Sequence, residues 1–226
     1  MSGLAPSCLA IFDHDGVLVD SLALHQQSWV ELGRATGLSI TPEVVHQTFG
    51  MTLPAIVARL AGNSLSPAEV AQFGDRKEAL YRELARGHFD LMPGVRNLLD
   101  ALSAAGVRLA IGSSAPRANL DLTVECCGLA GRFAAISSLE DVERGKPDPQ
   151  VFLVAARKAG VPPARSVVFE DAPVGIMGAK AAGMRAVGVT TTNPAADLFA
   201  AGADDVVDTL AGFDVAGLLR HLGATL

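Results

Sequence analysis

Aromatic residues are scarce in this chain: they make up 5% of its 226 residues, with one tryptophan and one tyrosine. Its core must therefore be built from aliphatic side chains, and an aromatic platform for stacking nucleic-acid bases is not expected. Cysteine is scarce too. Cys8, Cys126 and Cys127 are odd in number, two are adjacent, and no CxxC occurs. That pattern argues against a disulfide framework or a zinc site and suits a reducing cytoplasm. Positive charge is thin. The formal net charge is −6, and no stretch is densely packed with Lys or Arg. Without a basic face to neutralise phosphates, nucleic acid is not an expected partner. No uncharged apolar run approaches the roughly 20 residues of a membrane span. The opening residues MSGLAPSCLAIFDHD lack a basic segment and reach acids by Asp13, so a signal peptide and a membrane association are not expected either.

What is present is short apolar runs punctuated by polar strand ends. Half the residues are hydrophobic, enough for a well-packed core. CLAIF (Cys8–Phe12) is continuous and stops at acids and Gly16, as a buried parallel strand does. Similar runs are Val107–Ile111, Phe133–Ile136, Ser166–Phe169 and Arg185–Val189, with Val206–Val207 as an edge strand. Helical patterns alternate with them. Val95–Ala105 carries an i, i+3, i+4 apolar stripe ending at Gly106. Further helices are expected from Asp148–Pro149 to Ala159 and from Ala172 to Ala182. Strand and helix in alternation predict an α/β fold, a Rossmann-like doubly wound parallel sheet with helices on both faces. Residues 20–88 break the rhythm. They contain no convincing strand but four helical stretches: Leu22–Gly37, Pro42–Thr48, Leu53–Ala61 and Pro67–Ala85. The expected organisation is an α/β core of residues 1–19 and 89–226 with an inserted all-helical domain at 20–88.

Four polar constellations sit where strands are expected to end. Asp13-His14-Asp15-Gly16 follows the first strand; two acids two residues apart can share a cation or act as nucleophile and acid, and Gly16 permits a tight turn. Gly112-Ser113-Ser114 offers hydroxyls and main-chain N–H groups to an anion. Gly145-Lys146-Pro147-Asp148-Pro149 fixes a lysine between a glycine and a proline. Glu170-Asp171-Ala172-Pro173 places two acids ahead of a helix. Each alone reads equally well as a turn or a helix entry. In combination they converge, because parallel strands bring their carboxyl ends to one edge of the sheet. Four converging carboxylates repel one another unless a cation sits among them, and oxygen ligands of this kind favour Mg²⁺.

The set DHDGVLVDS, GSS, GKPDP and FEDAPVGI, in this order and across nearly the whole chain, resembles the haloacid dehalogenase superfamily, in particular its β-phosphoglucomutase-like, phosphatase-rich branch. The helical insert resembles that branch's cap. The resemblance implies a magnesium-dependent phosphatase acting on a small phosphomonoester, such as a sugar phosphate, through an aspartyl-phosphate. It implies Asp13 as nucleophile and metal ligand, and Asp15 as acid/base and, by its main-chain carbonyl, metal ligand. Ser113 would bind the phosphoryl group, Lys146 would pair with Asp13 and the phosphoryl oxygens, and Glu170 and Asp171 would complete the metal site. His14 is expected to matter through its main-chain N–H, and Ser114 to lie at the substrate. Within the insert, His25 near the site or on a surface helix, and Gly50, Met51 and Thr52 in a specificity loop, match the family's substrate-binding positions. Lys77 lies where relatives reach the site with a lysine, although a solvated helix face is the plainer reading. Trp29 is expected in the insert's core. The alternatives are a sugar phosphomutase, disfavoured because no Lys or Arg follows Phe49 until Arg59, and a phospho-accepting signalling module, disfavoured by Asp15 and the insert. The expected partner is a small phosphorylated metabolite, and the default assembly a monomer.

Overall fold

The structure is a computed structural model and describes residues 8–46, 53–62, 65–88 and 90–223. In chain order its strands and α-helices are β1 (Leu9–Phe12), α1 (Leu22–Thr36), α2 (Pro42–His46), α3 (Leu53–Ala61), α4 (Pro67–Ala85), α5 (Val95–Ala104), β2 (Arg108–Gly112), α6 (Arg117–Cys126), β3 (Ala135–Ser137), α7 (Gln150–Ala159), β4 (Ser166–Glu170), α8 (Pro173–Ala181), β5 (Arg185–Val189), α9 (Ala195–Ala200), β6 (Asp205–Val207) and α10 (Val215–His221). The strands form one parallel sheet in the order β3-β2-β1-β4-β5-β6. β1 lies at its centre, and the winding reverses there. That reversal opens a crevice at the carboxyl ends of β1, β2 and β4, where ligands of doubly wound sheets bind.

The alternation of side chains along β1 sorts the core into two layers. Leu9 and Ile11 pack with Phe152 and Ala155 of α7, Ile176 and Ala179 of α8, and Leu198 of α9. Phe12 instead stacks on its register partner Phe169 with ring centroids 4.8 Å apart, and Phe213 meets Phe169 edge-on at 5.3 Å. Helix α5 turns Val95, Leu98, Leu99 and Leu102 inward, the stripe expected from its sequence. Full burial of an aliphatic side chain contributes about 1.5–3 kcal/mol, so this aliphatic interior compensates for the shortage of aromatics.

The chain divides into two compact units, residues 1–20 with 90–226, and residues 21–89. The second is all-helical in its described residues. Trp29 and Leu32 of α1, Val45 of α2, Val57 of α3 and Phe73 of α4 form its core, with Ile40 between α1 and α2. Helix α4 begins with a capping box: the Ser66 hydroxyl accepts from Glu69 N–H, and the Glu69 carboxylate accepts from Ser66 N–H at 2.8 Å. No described helix is long and apolar enough to cross a membrane.

Candidate active site

Asp13 is the first residue beyond β1, and its N–H donates to the Phe169 carbonyl of neighbouring β4 at 3.0 Å. The ladder thus continues one step and holds Asp13 beside Glu170 and Asp171. The carboxylates of these three buried residues bring oxygen atoms within 4.8 Å of one another. Lys146, from the loop after β3, places its Nζ 2.9 Å from Asp13 Oδ1 and 2.5 Å from Glu170 Oε1. Burial alone would lower the Lys146 pKa, but the carboxylates of Asp13 and Glu170 outweigh it and hold the lysine above its ordinary value.

The two acids after β4 have different surroundings. Glu170 has one oxygen on Lys146, and its other oxygen accepts from the N–H groups of Asp171 and Ala172 at 2.7 and 2.8 Å. It serves the entry of α8 as well as the lysine. Gly175 lies so close to Glu170 Oε1 that any Cβ there would collide with it. Asp171 Oδ2 accepts a 2.5 Å hydrogen bond from the Thr192 hydroxyl, and its main-chain carbonyl accepts from Asn193 Nδ2 at 3.0 Å. Gly16 is the matching gap on the β1 side: its φ is +75°, and a Cβ would occupy the place of Asp171 Oδ2. Burial, then the charges of Glu170 and Asp13, push the Asp171 carboxyl up to about 8. Burial, with Asp13, also raises Glu170, against the opposing pull of Lys146.

The remaining expected residues of the α/β unit have other partners. Ser113 is buried just beyond β2; its N–H donates to Ser137 O, and its hydroxyl accepts from Ala115 N–H at 3.2 Å. Ser114 is exposed. The Asp15 side chain is 38% exposed, unlike the cluster beside it. The imidazole of His14 is fully buried, with Nδ1 3.0 Å from Asp15 Oδ1 and Nε2 2.7 Å from Thr123 Oγ1. The expectation for His14 concerned its main-chain N–H; its imidazole has a close polar contact at Nδ1 and a hydrogen bond at Nε2.

In the helical unit, Lys77 is not a solvated helix charge; it is 5% exposed. Its Nζ lies 2.6 Å from His25 Nδ1 and 2.8 Å from Glu78 Oε1, above the rings of Trp29 and Tyr81. His25 stacks on Tyr81 with ring centroids 4.0 Å apart. Trp29 is core, as expected, and also faces Phe73. Gly50, Met51 and Thr52, with Thr48 and Phe49, lie outside the described residues.

Sequence reasoning missed Thr192, Asn193 and Thr123. The first two were findable, since TTTN follows β5 as another polar strand end. Thr123 carried no signal, being one threonine in the middle of α6.

A family model described as haloacid dehalogenase-like hydrolase matches residues 10–189. Hexitol phosphatase B of Escherichia coli (strain K12) is 31% identical over 183 residues, covering 79% of this chain and 81% of the relative. The chloroplastic 5-amino-6-(5-phospho-D-ribitylamino)uracil phosphatase of Arabidopsis thaliana is 32% identical over 85% of this chain, which spans only about half (52%) of that longer protein. Among solved structures, a mutant CbbY from Rhodobacter sphaeroides in complex with xylulose-(1,5)bisphosphate superposes with a TM-score of 0.81 at 27% identity, covering 93% of this chain and 98% of that one.

Proposed function

Because the chain belongs to the haloacid dehalogenase-like hydrolases, we propose that it is a magnesium-dependent phosphatase that releases phosphate from a small phosphomonoester through an aspartyl-phosphate on Asp13. The observation that carries this reading is the lysine-bridged cluster of Asp13, Glu170 and Asp171 at the carboxyl ends of β1 and β4. The named activities of the relatives, on a hexitol phosphate and a phosphoribitylamino-uracil, support a sugar phosphate or similar metabolite as the substrate class.

The donor set fits Mg²⁺. Of the three buried carboxylates only those of Asp13 and Glu170 touch Lys146, and burial, with the charges of Glu170 and Asp13, holds the Asp171 carboxyl near 8, a cost that a divalent ion relieves. Asp13 and Asp171, with the main-chain carbonyl of Asp15, would hold the ion. Glu170, already engaged by Lys146 and two N–H groups, would contribute from behind them. Bound Mg²⁺ supplies charge neutralisation at the phosphoryl oxygens.

The protein's own groups do the rest. Asp13 attacks phosphorus, forming a carboxylate O–P bond as the ester O–P bond breaks. Asp15 gives its proton to the departing oxygen, then takes one from the water that attacks the acyl phosphate. Lys146 keeps Asp13 oriented and faces the charge that builds on the phosphoryl oxygens, while Ser113 binds one of them. His14 and Ser114 border the substrate. His25, Gly50, Met51, Thr52 and Lys77 are the proposed substrate-selecting residues. Three free cysteines, Cys8, Cys126 and Cys127, support a reducing cytoplasm as the place of action, and the protein acts as a monomer.

The test is release of phosphate from an aryl phosphate, followed by a panel of phosphorylated metabolites. Wild-type protein with Mg²⁺ turns over; EDTA stops it and Mg²⁺ restores it. Turnover that persists in EDTA contradicts the metal site.

A further inference from the structure

We propose that His14 is a positioning residue for Asp15: its imidazole, anchored by Thr123, holds the carboxyl group in the orientation from which it protonates the leaving oxygen. The inference rests on the phosphatase reading and on Asp15 as its acid/base, and it adds a function for the residue between the two acids.

Three observations carry it. The Asp15 side chain is more than a third exposed, so close packing does not by itself fix its rotamer. The neighbouring imidazole is the opposite, with no exposed surface, and its Nδ1 lies 3.0 Å from Asp15 Oδ1. The far side of the ring is fixed: Nε2 and the Thr123 hydroxyl share a 2.7 Å hydrogen bond, and Thr123 is itself fully buried on α6. If the hydroxyl donates to Nε2, the ring proton resides on Nδ1, 3.0 Å from the carboxyl oxygen in a close polar contact that is not an aligned hydrogen bond. A buried ring braced on a helix is a firmer support than a loop main chain.

The chemical consequence lies in one step. As the Asp13 O–P bond forms and the ester O–P bond breaks, the proton of the Asp15 carboxyl passes to the departing oxygen, leaving Asp15 as the carboxylate. A leaving group that departs readily as an anion needs little of this help; a more basic one needs it in full. Loss of positioning therefore appears as a change in leaving-group discrimination rather than as a uniform loss.

The experiment compares kcat/KM for 2,4-dinitrophenyl phosphate and phenyl phosphate, since this ratio reports the step in which the leaving group departs. In His14→Leu the ratio of dinitrophenyl to phenyl ester should rise on the order of tenfold over wild type, in the same direction as Asp15→Asn and by less. His14→Asn, whose side-chain amide can put an N–H near the Nδ1 position, should return the ratio to within about twofold of wild type, while Thr123→Val should fall between. Thermal melts accompany each variant, and Thr123→Val with His14→Asn carries the comparison if His14→Leu does not fold. A rise in Asp15→Asn with no change of ratio in the His14 and Thr123 variants overturns the positioning role alone. An unchanged ratio in Asp15→Asn removes the acid assignment, and the absence of wild-type turnover removes the phosphatase reading itself.

Discussion

Each unit of this protein holds one lysine whose side chain is buried, and the two are held differently. Lys146 of the α/β unit lies between the carboxylates of Asp13 and Glu170, which come from the ends of two adjacent strands. Lys77 of the helical unit lies beside His25 and over the rings of Trp29 and Tyr81, with its Nζ 2.8 Å from Glu78 Oε1. The first is fixed by opposite charge supplied by the sheet itself. The second is fixed by a polarisable pocket assembled from α1 and α4. Under the proposed function, the α/β unit would carry the chemistry and the helical unit the selection of substrate.

The largest expected effect is on the chemistry. Asp13→Asn should lower kcat on an aryl phosphate about a thousandfold or more while leaving the melting curve of a folded protein. Comparable turnover would remove the nucleophile assignment. Lys146→Met should unfold at lower denaturant than wild type, by roughly 3 kcal/mol, because it leaves two buried carboxylates without their counter-charge. Lys77→Met should lose only about 1 kcal/mol and change relative kcat/KM across a metabolite panel more than kcat on an aryl phosphate. Equal losses at the two lysines would erase the contrast. Thr192→Val, which takes the hydroxyl from Asp171 Oδ2, should weaken Mg²⁺ about tenfold in a titration of activity.

The last expected effect is a pH dependence. The carboxyl of Asp171 is held at about 8 against an ordinary 3.8, so the folded metal-free protein binds this proton more tightly than the unfolded chain. That stabilisation is complete below about pH 4 and is lost as pH rises towards about 8. Measured in EDTA, Tm should therefore slope downward over this window more steeply in wild type than in Asp171→Asn. Added Mg²⁺ should raise Tm more at the alkaline end, where the carboxylate is free of its proton. Parallel slopes in the two proteins would contradict the burial-driven shift.

The same contrast explains what could be read from the sequence. The strands were legible because a strand buried on both faces is a short unbroken apolar run, and the ends of β1, β2 and β4 were legible because polar residues interrupt those runs. Observed strands begin or end within two residues of the expected bounds: Ala135–Ser137 was read as starting at Phe133, which precedes the sheet. Helix α6 gives no clear sequence signal, because its buried positions include Asn119 and Thr123 beside Leu120 and Leu122, and polar residues break the apolar stripe. Arg76, Glu78 and Arg82 along α4 make a solvated face the plainer expectation for Lys77 beside a role at the site; sequence periodicity does not reveal that a lysine stem can lie across two aromatic rings. The engagement of His14 with Thr123 spans 109 residues of sequence and depends on packing that no local pattern records.

The central claim is that Asp13 carries the phosphoryl group, and it is tested most directly by acid-quenching Asp15→Asn protein mixed with an aryl phosphate and Mg²⁺, then locating the modification by peptide mass spectrometry. The account predicts one added phosphoryl group on the peptide containing Asp13, absent from an Asp13→Asn/Asp15→Asn double variant. Phosphate release by wild type with no modified peptide in Asp15→Asn, or a phosphoryl group found on Ser113 instead, would contradict it.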